Sequence, residues 1–270
     1  MPDELISCLM VTLPVPARFD CLRRSIADYR RQTYRARELV ILLNGGEPES
    51  SDRIRKYVDS IGDESIRVIE LPGQMPMGAL RNRSIAAAKG EIVCQWDDDD
   101  LYHPERLTAQ AQALDDAGSD ALFLRDVMQF FSGSRSLYCT NWRATEAHAF
   151  PGSVMCRRST SVCYPESGPE MQLGEDSAFA RQLWAGGTAA TLDGAPHLYV
   201  YVTHGRNSWP EDHHRMLSRE LALSRGLLMK REAQLREGLR EIAFDPGEIV
   251  VQGYNGPAFT LQVAGPASRH

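Results

Sequence analysis

With 270 residues, 43% of them hydrophobic and 24% charged, the chain has the composition of a soluble globular protein and is long enough to bury a sizeable core. Its formal net charge of −6, from 36 acidic against 30 basic residues, argues against a nucleic-acid partner, and it makes binding of any phosphate-bearing ligand at an acidic site dependent on a cation. No apolar run is long enough to span a bilayer and Met1-Pro2-Asp3-Glu4 lacks a basic leader, so a cytoplasmic protein is expected.

Ile6 to Leu13 reads as a first strand, ended by Pro14 and Pro16. Asp20 caps a helix in which Leu22, Ile26 and Tyr29 recur at helical spacing, with Arg23, Arg24, Arg30 and Arg31 on the solvated faces. Glu38 to Leu43 is a second strand, closed by Asn44-Gly45-Gly46. Ile54, Val58 and Ile61 mark a second helix, and Ile66 to Leu71 a third strand. Strands alternating with helices of this length imply crossover connections and a parallel sheet. Neither G-x-G-x-x-G nor G-x-x-x-x-G-K-[ST] is present, which removes the usual dinucleotide and triphosphate readings. Met77 to Lys89 predicts an alanine-rich helix, with Gly90 as a left-handed stop and Arg81, Asn82 and Arg83 near its start.

Ile92, Val93, Cys94 and Trp96 form the next buried strand, and Pro104 suits the first turn of the helix after it. Between them stand Asp97, Asp98, Asp99 and Asp100. Adjacent carboxylates repel by roughly 1 kcal/mol per pair at 4 Å in water, and a hard cation with oxygen ligands removes that cost. The carboxyl ends of strands in an open α/β sheet are also where ligands bind.

Here the chain resembles glycosyltransferase family 2. The resemblance rests on Val11-Thr12 before a proline-broken loop, Arg31-Gln32-Thr33-Tyr34, Leu42-Leu43-Asn44, Gly78-Ala79-Leu80-Arg81-Asn82-Arg83, and Gly90 through Leu107, in order over roughly the first 110 residues. It implies the nucleotide-sugar-binding fold called GT-A and inversion at the anomeric centre. It also implies Thr12 and Asn44 near the base, Arg81 near the nucleotide, Asp97 or Asp98 on the ribose, and Asp99 ligating Mn²⁺ or Mg²⁺ on the diphosphate. Asn44-Gly45 departs from the family, where an acidic residue often follows the second strand, and this leaves the base open between uracil and others.

Ala121 to Leu124 and Val127 to Phe131 are strand-like, and Leu137 to Thr140 pairs back across a turn at 132–135. Phe130, Phe131, Tyr138 and Trp142 are expected in the core rather than stacked on a sugar. Phe179 and Leu183 mark a helix stopped by Gly186-Gly187, which puts Glu175 and Asp176 in its first turn. Acids there complement the helix dipole. The same pair resembles the family's Glu-Asp motif, which makes Asp176 the general base and gives Glu175 an acceptor hydroxyl to hold. His197 to Thr203 is a strand ending in His204, a position where some family members place a histidine on the metal or the diphosphate. Glu211-Asp212-His213-His214 behind Pro210 is ordinary helix-start chemistry.

Leu217, Leu221, Leu228, Leu235 and Leu239 fall at roughly helical spacing, divided at Gly226. This mildly basic tail reads as a cover for the sheet, with peripheral contact to the inner face of a membrane as the alternative. Glu248 to Gln252 and Ala258 to Val263 form a terminal hairpin whose apolar strands need a partner surface, for which a homodimer is one source. Cys8, Cys21, Cys94, Cys139, Cys156 and Cys163 contain no C-x-x-C pair and are expected as reduced thiols.

The expected architecture is α/β, a GT-A-like Rossmannoid mixed sheet with helices on both faces, over residues 1–210. Within it, 1–110 form the nucleotide-sugar half and 111–210 the acceptor half, and 211–270 add helices and the hairpin. The expected function is metal-dependent, inverting transfer of a sugar from a nucleotide-diphosphate sugar, UDP-linked first, to a hydroxyl of a glycan, lipid-linked or small-molecule acceptor. A sugar-phosphate nucleotidyltransferase and a non-catalytic nucleotide-sugar or glycan-binding module are the competing readings.

Overall fold

A computed structural model describes residues 4–265. The start of the Met1-Pro2-Asp3-Glu4 stretch, Met1 to Asp3, lies outside those residues, as does the end of the 211–270 extension. In chain order the elements are β1 (Ile6–Thr12), α1 (Phe19–Arg30), β2 (Arg37–Asn44), α2 (Pro48–Ile61), β3 (Ile66–Leu71), α3 (Met77–Ala87), β4 (Ile92–Gln95), β5 (Leu101–Tyr102) and α4 (Arg106–Ala117). They continue with β6 (Ala121–Leu124), β7 (Asp126–Phe131), β8 (Ser136–Asn141), β9 (Met155–Arg157), α5 (Glu175–Ala185), β10 (Ala189–Leu192) and β11 (Tyr199–Thr203). The last are α6 (Glu211–Leu221), α7 (Arg225–Lys230), α8 (Glu232–Gly238), β12 (Gly247–Gly253) and β13 (Gly256–Val263).

The first sheet has the order β10-β6-β9-β4-β1-β2-β3, with β3, β2, β1 and β4 mutually parallel and β9 running against β4 and β6. Every residue of β1 is buried, as expected for a strand covered on both faces. Its alternation decides which helix meets which side chain. Ile6, Cys8 and Met10 pack with Leu22 and Ile26 of α1, Ile54 of α2 and Leu107 of α4, whereas Leu9 and Val11 pack with Leu80 of α3 and Phe179 and Leu183 of α5. Helices therefore lie on both faces, as the alternation of strands and helices implied.

A second sheet, β13-β12-β8-β7-β11-β5, stands beside the first. Its apolar face joins Met128, Phe130, Leu137, Val200 and Val202 to Leu228, Leu235 and Leu239 of the C-terminal helices and to Ile249 and Val251 of the hairpin. The partner that the hairpin strands need is thus in the same chain, because β12 pairs in parallel with β8. The tail breaks into three helices around Ala222 and Arg231, while Gly226 lies inside α7. Among the described residues after 210, α7 and α8 pack on the apolar face of the second sheet and β12 adds a strand to it beside β8. No helix of the described residues is long and apolar enough to cross a membrane.

Gly90 plays a different part from the stop signal expected of it. Helix α3 ends at Ala87, with Ala88 already extended, and Gly90 is absent from the residues with positive φ. A Cβ at Gly90 would run into the carbonyl oxygen of Leu5, and its N–H donates to Ser7 Oγ at 2.9 Å. Close backbone approach beside β1 is what requires a glycine there. The six cysteines are all free thiols, with Cys8, Cys94, Cys139 and Cys156 buried.

Candidate active site

Because β1, β2 and β4 are parallel, their carboxyl ends open on one edge of the first sheet, and that edge faces the second sheet across a cleft of about 770 Å³. Thr12, Asn44, Arg81, Asp97, Asp98, Asp99, Glu175 and Asp176 all line it. Six carboxyl groups and two guanidinium groups face one another there, the sixth carboxyl being Asp100 and the second guanidinium Arg18.

The four aspartates have separate tasks. Asp97 accepts from Gln95 Nε2 at 2.8 Å and from Arg81 at 3.3 Å and 3.4 Å, while its carbonyl holds Ser25 Oγ and Tyr102 Oη, each at 3.0 Å. Asp98 is 1% exposed and accepts from the Thr12 hydroxyl and from Arg18. Burial, then the neighbouring Asp99 charge, pushes its carboxyl above the usual range, against the pull of Arg18 and Thr12. Asp100 turns inward, accepting from Tyr199 Oη at 2.6 Å and the Val202 N–H at 2.8 Å, so it ties the acidic turn to β11 of the second sheet. Burial and the charges of Asp99 and Asp97 hold its carboxyl well above the ordinary range.

Asp99 differs in sign. Burial would raise it, but the His204 hydrogen bond and the Arg18 charge outweigh burial and hold it below the usual carboxylate range. Unlike Asp98 and Asp100, it is shifted toward the ionised form, which is the state a cation requires. His204 Nε2 lies 2.9 Å from Asp99 Oδ2, and His204 Nδ1 accepts the Arg206 backbone N–H at 3.2 Å. A metal-ligating histidine donates its second ring N–H outward; this ring accepts there instead, so its proton sits on Nε2 and is given to Asp99. His204 and Asp99 thus form a hydrogen-bonded pair that joins the end of β11 to the acidic turn. Among the described residues, no group of three or more His, Cys, Asp and Glu side chains is arranged to hold a metal. A single ionised carboxylate still fits Mg²⁺ or Mn²⁺, which are usually held by one or two carboxylates and completed by water and substrate phosphate.

Across the cleft, Gly174 has φ of +87° and turns the chain so that Glu175 and Asp176 open α5. Glu175 lines the cleft, is 6% exposed and accepts Arg81 Nε at 3.0 Å, so one of its oxygens anchors an arginine. Asp176 lines the cleft, with Oδ1 accepting its neighbour's N–H, from Ser177, at 2.7 Å. Burial, and to a lesser degree Asp97, raises its carboxyl against Arg81, toward the range of a useful base. Asn44 grips the backbone of Met75, donating to its O at 3.3 Å and accepting its N–H at 3.0 Å, and so shapes the rim beside Gln74 and Met77.

Beyond Asp176 the wall comes from the second sheet, α6 and the loops beside them: Gln129, Trp142, Tyr201, Trp209, His213 and Leu217, with no Lys or Arg there among the described residues. Phe130 and Phe131 are core, as expected, whereas Trp142 reaches the cleft. Arg18 and Trp209 were not singled out by sequence reasoning. Arg18 follows Pro16 in a short turn that resembles no phosphate loop, and Trp209 is visible only as an aromatic in a polar loop. Trp209, 38% exposed, stacks on His213 with centroids 4.4 Å apart.

Residues 10–140 match the model of a family described as glycosyl transferase family 2. The chain is 29% identical over 111 residues to an uncharacterized glycosyltransferase, MJ1057, of Methanocaldococcus jannaschii, covering 41% of this chain and 37% of that one. It is 32% identical over 84 residues to the putative glycosyltransferase EpsH of Bacillus subtilis, covering 31% and 24%. The matches thus span little more than a third of these curated relatives at most. Among solved structures, Staphylococcus aureus TarS 1-349 in complex with UDP aligns with a TM-score of 0.58 at 16% identity, over 87% of this chain and 79% of that one. The mannosyltransferase PcManGT from Pyrobaculum calidifontis, in complex with GDP-Man and Mn²⁺, aligns at 0.57 and 14%, over 87% and 63%. The fold is the GT-A arrangement.

Proposed function

We propose, from the premise that residues 10–140 are a glycosyltransferase family 2 domain, that this cleft moves a sugar from a nucleotide-diphosphate sugar to an acceptor hydroxyl with inversion. The observation that carries the reading is that one cleft unites Asp99, in the acidic turn after β4, with Asp176 at the start of α5. The nucleotide sugars named for the structural neighbours support a donor of this class.

A divalent cation held by Asp99 would neutralise the leaving diphosphate. The chain's own residues supply the rest. His204 keeps Asp99 in one orientation, and Arg81, gripped by Glu175 and Asp97, fixes the floor between donor and acceptor spaces. Asp176 takes the proton of the acceptor hydroxyl as that oxygen bonds to the anomeric carbon. The bond from that carbon to the diphosphate oxygen breaks, and its electron pair leaves with the nucleoside diphosphate. Because bond-breaking runs ahead, positioning contributes more than basicity.

On the acceptor side, absence of Lys and Arg from the wall and the exposed Trp209 ring favour an uncharged acceptor with an apolar face. The test is nucleotide release from a panel of UDP- and GDP-sugars, with and without hydroxyl acceptors. Release that depends on Mn²⁺ and on Asp176 supports transfer; nucleotide binding with no release from any donor favours the non-catalytic module.

A further inference from the structure

The two arginines of the cleft are committed in different ways. In Arg81, 9% exposed, every nitrogen of the guanidinium is engaged: Nε with Glu175 at 3.0 Å, and Nη1 and Nη2 with Asp97 at 3.3 Å and 3.4 Å. Its two remaining N–H groups sit on different nitrogens, each already held by a carboxylate. Arg18 also spends three N–H groups, but its two remaining ones share a single nitrogen. Its Nε donates to Asp98 Oδ2 at 3.0 Å, and its Nη2 reaches both Asp98 Oδ1 and Asp99 Oδ2, the latter at 3.0 Å. Its Nη1 has no hydrogen-bond partner among the described residues, and the side chain, 27% exposed, forms part of the cleft wall.

The anchor is itself fixed. Asp98 is buried and also holds the Thr12 hydroxyl, and the turn carrying Arg18 is latched from the far side by Arg206 Nη1 on the carbonyl of Ala17 at 3.4 Å. A guanidinium is a rigid planar fork, so pinning two nitrogens aims the third. Here the third nitrogen belongs to a part-exposed side chain of the cleft wall, next to the Nη2 that contacts Asp99, and a guanidinium edge suits a phosphate oxygen.

We propose that Arg18 is a binding residue for the diphosphate of the donor, offering Nη1 to a phosphate oxygen, with Asp98 as its buried holder rather than a ribose contact. Arg81, expected near the nucleotide, is then a positioning residue between Asp97 and Glu175. The single Nη2 contact to Asp99 is the one that yields when a cation takes that carboxylate, while the double contact to Asp98 stays. This inference rests on reading the cleft as a nucleotide-sugar site.

The test separates phosphate from base. UDP and GDP are titrated calorimetrically in Mn²⁺ into wild type, Arg18→Lys and Arg18→Gln, and uridine and guanosine are followed by saturation-transfer NMR on the same proteins. Expected is a loss of tenfold or more in affinity for the diphosphate that wild type binds, with its nucleoside changed less than twofold and the melting temperature of Arg18→Lys near wild type. Lysine keeps the charge and cannot both hold Asp98 and present a second edge. If Arg18→Gln unfolds by stranding Asp98, the double variant Arg18→Gln with Asp98→Asn removes both charges and is read in the same way. Unchanged diphosphate affinity, or an equal loss for nucleoside and diphosphate, overturns the assignment to Arg18 while leaving the donor site intact. Wild type that binds neither UDP nor GDP overturns the donor-site reading, and this inference with it.

Discussion

His204 Nε2 gives its proton to Asp99 Oδ2 across 2.9 Å, while the Arg206 N–H occupies Nδ1 of the same ring at 3.2 Å. If the imidazole acts on the cation through Asp99, its removal should weaken rather than abolish cation binding. A charge-assisted hydrogen bond contributes about 1.5–3 kcal/mol, so His204→Asn is expected to lower Mn²⁺-dependent nucleotide affinity by roughly ten- to a hundredfold. Manganese electron paramagnetic resonance in the presence of UDP or GDP measures this directly. Loss as complete as that of Asp99→Ala would make the imidazole a ligand.

Asp176→Asn should bind donor normally and lose transfer by roughly 10²–10⁴-fold, the range of general-base contributions. Burial, then Asp97, raises its carboxyl, so transfer should fall as pH drops through that raised value, and the fall should vanish in the residual rate of the variant. Initial rates of nucleotide release against pH give both outcomes. Ordinary turnover by Asp176→Asn removes the base from this position.

Asp100 is expected to serve the fold and not the ligand. It holds Tyr199 Oη and the Val202 N–H with no exposure to speak of, and burial favours its neutral form. Asp100→Ala should therefore cost about 1–3 kcal/mol by stranding the Val202 N–H, while Asp100→Asn keeps an acceptor and costs less. Urea denaturation compares the two. A loss of Mn²⁺ binding by folded Asp100→Asn would place this aspartate among the ligands.

Acid should destabilise the protein through His214. Burial, helped by the nearby charge of His213, lowers its imidazole from 6.5 to about 4, and Tyr201 Oη is 3.3 Å from its Nε2. A depressed pKa means stability present above the unfolded value and lost as pH falls from about 6.5 toward about 4, on the order of 3 kcal/mol when complete. His197, also lowered to about 4 by burial, acts in the same window. Melting temperatures from pH 7.5 to 4.5 should decline less steeply for His214→Gln than for wild type; parallel declines would locate the acid sensitivity elsewhere.

What the sequence made legible follows from how local each signal is. The fully buried β1, the alternation of strands and helices to β4, and the reduced cysteines are written in residue type and period. So is the convergence of Asp99 and Asp176, since each sits in a local signature at an element end. The division of labour among four identical aspartates was not legible, because it depends on what approaches from far away in the chain: Arg18 on Asp98, Tyr199 on Asp100, His204 on Asp99. The same holds for the second sheet. A hairpin at the end of a chain carries no sign that it pairs with β8 more than a hundred residues earlier. Gly90 was legible as necessary and misread in cause, since a glycine needed for close approach looks the same as one needed for positive φ.

The most direct test of the donor site is calorimetric titration of the protein with UDP and with GDP, each in Mn²⁺ and in chelator, for wild type and Asp99→Ala. Expected is binding of at least one nucleoside diphosphate that requires Mn²⁺ and disappears in Asp99→Ala while the variant melts like wild type. Binding of neither nucleotide, or binding indifferent both to chelator and to Asp99, would contradict a cation-assisted donor site at the end of β4.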